Sequence, residues 1–146
     1  MNLHLYQYGD CAELSGLSIG VARQTPRGIR VEDRYRKGYF QVWMPLLAPS
    51  KELYKAYLAE ELTYQQFAQR YRSEMKGTEQ KHCIELLAAV SQTTRINLGC
   101  FCENSEECHR SQLAKLIQAA AKKLPAPGKK AAKYFSSPCS MPEIED

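Results

Sequence analysis

The stretch Thr94-Arg95-Ile96-Asn97-Leu98-Gly99-Cys100-Phe101-Cys102-Glu103-Asn104-Ser105-Glu106-Glu107-Cys108-His109-Arg110 decides the fold. Residues 93–100 are rich in β-formers and predict an interior strand that runs into a cluster of cysteines. The polar run that follows reads as a short loop, with Ser105 as the expected N-cap of a helix. In that helix Leu113, Leu116, Ile117, Ala120 and Leu124 make one apolar face, and Pro125 stops it. A strand handed to a helix through a short loop is part of a β-α unit, which calls for a parallel neighbour.

Working outward, residues 3–8 and 17–22 predict two more strands, with Gly9, Asp10, Ser15 and Gly16 between them. Gln24-Thr25-Pro26-Arg27-Gly28 marks a loop, and residues 40–44 form another short extended piece before Pro45. Ser50 is placed to cap a helix carrying Leu53, Tyr54, Tyr57 and Leu58. Thr63-Tyr64-Gln65-Gln66 reads as a capping box for a second helix, whose stripe is Phe67, Tyr71 and Met75 and which ends near Gly77. Thr78 is the expected cap of a third, with Cys83, Leu86, Leu87 and Val90 at helical spacing and Cys83 as a core thiol. The fold class is therefore α/β: a three-layer sandwich with a small, mostly parallel sheet and helices on both faces. Residues 1–124 form a single α/β domain, and 125–146 form a tail containing Pro and Lys without periodicity.

With 146 residues, 44% apolar and 25% charged, the composition is that of one globular domain and excludes collagen-like or low-complexity chains. No apolar run approaches the ~18 residues of a membrane span, so no membrane partner is expected. The first 22 residues hold Asp10 and Glu13 but neither Lys nor Arg, the wrong polarity for a secretory or transit leader. A cytoplasmic address follows, and there the six cysteines point away from a disulfide framework and toward metal binding or thiol chemistry.

The formal charge of +4 is uneven. Residues 23–37 hold Arg23, Arg27, Arg30, Arg34, Arg36 and Lys37 against Glu32 and Asp33, and a lysine run follows the last helix. An anionic partner, either a small molecule or a nucleic acid, fits this distribution. A solvated helix end explains the lysines equally well.

Ligands of open α/β sheets gather where strand ends meet helix N-termini. Cys108 and His109, at such a start, lie where unpaired N–H groups favour a thiolate or a bound anion. Arg110 adds a bidentate cation, and Arg23 and Arg27, leaving another strand end, are expected to converge on the same crevice. This reading assigns Arg23, Arg27 and Arg110 to a phosphate-bearing ligand such as a nucleotide or nucleic-acid end. Cys108 or Cys100 is the thiolate if chemistry occurs, with His109 as proton carrier.

Two alternatives stand beside it. Cys100 and Cys102 share one strand face, so with Cys108 and His109 they offer four ligands for zinc or iron, in a structural or redox-sensing role. Adjacent residues on a helix project about 100° apart, so Cys108 and His109 reach one ion only across an irregular turn. The third class is a non-catalytic nucleic-acid or protein interaction module using the basic loop and the lysine tail. Whether the chain is an enzyme stays open. His4 and His82 read as surface or boundary residues, Trp43 and the tyrosines as core or as stacking platforms, and Glu74 as a general base or a solvated carboxylate.

Taken in order, Thr25-Pro26-Arg27-Gly28, Trp43, Leu47-Ala48-Pro49-Ser50, Leu53, Phe67, Tyr71, Glu74, Leu98-Gly99-Cys100-Phe101-Cys102 and Cys108-His109-Arg110 resemble the domain of unknown function 488 family. The Pro-Arg-Gly and Leu-Ala-Pro-Ser segments resemble its YeaO-like branch, although this chain keeps a Cys-His-Arg element that many shorter members of that branch lack. The resemblance covers residues 17–122. It implies a bacterial or archaeal α/β protein, and a site at Arg23, Arg27, Cys100, Cys108, His109 and Arg110, but no reaction.

Overall fold

The computed structural model describes residues 2–10 and 14–130. Four strands, β1 (Leu3–Gln7), β2 (Leu17–Gly20), β3 (Val42–Trp43) and β4 (Ile96–Cys100), form one sheet in the order β1-β4-β2-β3. Every pairing is parallel. Helices α1 (Lys51–Leu58), α2 (Tyr64–Glu74) and α3 (Thr78–Ser91) carry the chain from β3 to β4, and α4 (His109–Lys123) follows β4. The chain is an α/β sandwich, as the strand-loop-helix reading of residues 93–124 requires. β4 is interior and buried at all five positions.

Side chains alternate across each strand, so the sheet has two unlike faces. Leu3, Leu5, Leu17, Ile19, Ile96 and Leu98 turn to one side and join Leu53, Phe67, Tyr71, Ile84, Leu87, Leu113 and Ile117 in a single core. Full burial of each such side chain stabilises the fold by about 1.5–3 kcal/mol. The other face carries Ser18, Gly20, Asn97 and Gly99 and is covered by Tyr6, Tyr8, Ala22 and Phe40. A β-carbon on Gly99 would meet the Tyr6 ring, and one on Gly20 would meet Phe40 and the Tyr8 hydroxyl. Those two glycines let the aromatic layer lie on the strands. All four α-helices contribute to the core on the first face, and the second is covered by the aromatic layer and the long 21–41 connection, which holds a 3-10 turn (Val31–Asp33) and sets Arg34 over the Phe40 ring.

Ser50 caps α1 through Leu53 N, and the Thr63/Gln66 box closes with both of its bonds. Two other caps differ from the sequence reading. The N-cap of α3 is Gly77, with Thr78 already in the first turn. That helix buries Ile84, Leu87, Ala88 and Ser91, so its stripe starts one residue after Cys83, leaving Cys83 half-buried and Leu86 62% exposed. Helix α4 opens at Cys108 rather than at Ser105. Asn104 Oδ1 accepts from Glu106 N and holds residues 104–106 in a turn of their own, which delays the helix. Helix α4 stops at Lys123 as Pro125 dictates, and residues 125–130 carry no regular structure. The remainder of the expected tail, 131–146, lies outside the described residues.

Candidate functional site

The carboxyl ends of β1, β2 and β4 meet the first turn of α4, and three sulfurs converge there. Cys100 stands at the end of β4, Cys102 in the loop and Cys108 at the N-cap of α4. Their Sγ atoms all lie within 4.8 Å of one another, and Cys100 and Cys102 are 3.9 Å apart. All four described cysteines are free thiols, Cys83 being the one outside this group.

Of the three, Cys108 has a cation at its sulfur, with Arg110 Nε 3.3 Å from Sγ. Hydrogen bonds from the Cys100 thiol, then from Cys102, and then the contact with His109 hold it well below the ordinary thiol range despite burial. Cys100 is pushed far up, by its bonds to Cys102 and Cys108 and then by burial. The bond with Cys100 pulls Cys102 down, but its bond to Cys108 and burial outweigh this and raise it. Among the three, Cys108 is the one that its surroundings hold toward the thiolate. Its position at a helix N-terminus adds the field of the unpaired N–H groups.

His109 and Arg110 face inward. His109 Nε2 lies 2.8 Å from Val21 O, and since a carbonyl only accepts, Nε2 carries a proton. Nδ1 then faces Cys108 Sγ at 3.5 Å, and the ring sits edge-on to Tyr71 at 5.4 Å. Tyr71 is itself held by a 2.6 Å bond from its hydroxyl to Leu47 O. His109 is outside the group of donors that share the 4.8 Å radius. Arg110 is 1% exposed. It donates from Nε to Cys108 Sγ at 3.3 Å, from one terminal nitrogen to Cys102 O at 2.6 Å, and from the other to Tyr6 O. One guanidinium therefore ties the end of β1, the loop and the N-cap of α4 together.

The three arginines expected to form one anion wall are placed differently. Arg23 is exposed at the rim, bound to Pro49 O at 2.6 Å and Ala48 O at 3.4 Å, and Arg27 is exposed on the connection. The cavity of about 280 Å³ that Arg110 helps to line has neither of them, and it includes the carboxylates Asp10 and Glu103. Glu74, the base candidate, accepts from Ser50 N at 2.8 Å and serves the cap of α1.

The sequence reading missed the residues that hold the centre. The Tyr64 hydroxyl donates to Cys108 O at 3.2 Å and meets Ser111 Oγ at 2.9 Å, pinning the opening of α4 to α2. Tyr6 and Val21 act through backbone carbonyls, which leave no trace in residue type.

No helix is long and apolar enough to cross a membrane among the described residues. No curated protein and no solved structure matches the chain. A family model described as the active DUF488-N3 subclade matches residues 3–121, from the first strand to the last turns of α4. That span contains the whole sulfur centre, and the chain accordingly belongs to the DUF488 family.

Proposed function

We propose that this protein works through a metal ion held by Cys100, Cys102 and Cys108, with an open fourth position for a ligand or substrate. The convergence of three sulfurs within 4.8 Å carries the reading. Tetrahedral zinc at about 2.3 Å from each thiolate needs sulfurs about 3.8 Å apart; Cys100 and Cys102 are 3.9 Å apart, and Cys108 lies within 4.8 Å of both. Among the described residues no fourth protein donor joins the group. Three protein ligands with a vacant position are the mark of reactive rather than structural zinc sites, where the ion polarises a bound oxygen or activates water. Three thiolates and a divalent ion leave one negative charge, which the Arg110 guanidinium at Cys108 neutralises. A family description of the subclade as active agrees with a working centre.

Cobalt(II) titration of the reduced chain tests this. One equivalent should produce thiolate-to-cobalt charge-transfer bands that zinc displaces. Because Cys100 and Cys102 are held above the ordinary thiol range, zinc uptake near neutral pH should release protons. Serine at any of the three cysteines should weaken uptake at least tenfold. The absence of such bands, with no zinc or iron in protein purified without chelators, overturns the proposal.

One observation favours a second reading. Cys108 Sγ accepts from Arg110 Nε at 3.3 Å and faces His109 Nδ1 at 3.5 Å, contacts that favour a thiolate without any metal. If no metal binds, selective alkylation of Cys108 at mildly acid pH would support that reading.

A further inference from the structure

Three side-chain contacts place a rim of exposed groups around the sulfur centre. The Trp43 indole N–H donates to Ala22 O at 2.8 Å, which locks the ring edge and leaves the ring 38% exposed at the end of β3. The next residue after Ala22 is Arg23, whose guanidinium is fixed on Pro49 O and Ala48 O at the start of α1. One turn into α1 stands Tyr54, 39% exposed. Phe101, between two of the cysteines, is 45% exposed and packs edge-on to Tyr8 at 4.6 Å.

The rim is thus three solvent-facing aromatic rings with an anchored arginine among them. Beyond it the 21–41 connection continues with exposed Arg27, Arg30, Arg36 and Lys37, of which only Arg36 has an acidic partner among the described residues. The loop between Cys102 and Cys108 carries Glu103, Glu106 and Glu107, all exposed. A polyanion is therefore drawn to the arginine-rich connection rather than to this acidic loop. The lysines at the end of α4 are remote: 15 residues of helix separate them from Cys108, about 22 Å at 1.5 Å per residue.

We infer that this rim binds single-stranded nucleic acid, with bases stacked on Trp43 and Tyr54 and the phosphate backbone running over Arg23, Arg27 and Arg30. Aromatic faces that accept any base, beside a line of cations that tracks phosphates, are the two parts such binding uses. A duplex is a poorer fit, because the surface is an irregular connection with neither a helix nor a paired ribbon to enter a groove. A lone nucleotide would leave Arg27 and Arg30 without a phosphate. The inference rests on the sulfur centre only for what the strand is delivered to, since strand binding needs no metal.

The test uses the full chain, metal-free and reduced, with an unlabelled and a fluorescein-labelled 12-nucleotide oligothymidylate. Trp43 is the only tryptophan, so its emission reports stacking directly. Binding should quench that emission, and its affinity should fall with salt. Tyr54→Ala should weaken it at least about fivefold, the loss of one stacked base. Arg23→Ala and Arg27→Ala should each lower the salt slope by about 0.7, the value for one single-strand phosphate. Because Trp43→Ala could disturb β3, the wild-type quench and the Tyr54 variant carry the argument. Salt-dependent binding with unchanged Trp43 emission would mean charge attraction alone and overturn the stacking assignment. Tight binding of thymidine monophosphate equal to that of the 12-mer would overturn the strand. Capture by phosphatidylserine vesicles with no oligonucleotide binding would assign the rim to a membrane surface instead. Failure of cobalt uptake with intact strand binding would remove the metal reading and leave this one standing.

Discussion

Arg110 Nε lies 3.3 Å from Cys108 Sγ, two residues back at the N-cap of the same helix, and both side chains are almost wholly buried. The cation expected to face a ligand is instead the partner of the Cys108 sulfur. This makes Arg110 a positioning residue for the sulfur centre.

Replacing Arg110 by Met should therefore be costly out of proportion to its size. The change leaves the Cys108 thiolate without its cation and deprives Tyr6 O and Cys102 O of donors. A loss of about 3–5 kcal/mol is expected for breaking a buried pair in this way. Arg110→Lys should recover only part of it, because one ammonium cannot span three acceptors. Urea midpoints of the two variants check this, and equal midpoints for wild type and Met would refute it.

The sulfur triad should make stability of the metal-free protein depend on pH in both directions. Below an unfolded thiol value of about 8.5, Cys108 is charged in the fold and protonated in the unfolded chain. The unfolded state then binds more protons, so stability rises with pH up to that value. Above it, Cys100 ionises only on unfolding and the slope reverses. Thermal melts under reducing conditions should show a maximum near there, and Cys108→Ser should flatten the acid limb.

Gly99→Ala probes the aromatic layer. Its new methyl group would meet the Tyr6 ring on a face with no slack, for a loss of about 1–3 kcal/mol by overpacking. Adding Tyr6→Leu should return part of the loss in a double-mutant cycle. If Gly99→Ala melts like wild type, the packing of Tyr6 on β4 is wrong.

Two cap variants separate the helix starts. Thr63→Ala removes a closed capping box and should cost about 1 kcal/mol. Ser105→Ala, three residues before the true cap of α4, should change the denaturation midpoint little. The reverse ranking would restore Ser105 as the start of α4.

Much of the fold was legible in residue order. Local signals that need no partner were read correctly: the Ser50 and Thr63 caps, the stop at Pro125, and β4 as an apolar run before a polar loop. Errors arose where two local solutions compete. Ser105 has the chemistry of a cap, but Asn104 captures the Glu106 N–H first. Leu86 looks like core, yet the face defined by Ile84, Leu87 and Ser91 wins once α3 meets α4 and β4.

By itself the sequence determined the periodicities, and with them a parallel α/β sheet whose last strand delivers sulfur to a helix start. Spacing along the chain is a local property, so hydrophobic burial and capping chemistry reveal it. Only the tertiary structure decided that Cys102 folds back onto Cys100 and Cys108, that Arg110 turns inward to Tyr6 O, and that Trp43 of β3 bonds to Ala22 O beyond β2. Those outcomes depend on backbone carbonyls far apart in sequence, and a carbonyl is the same in every residue until the fold aims it.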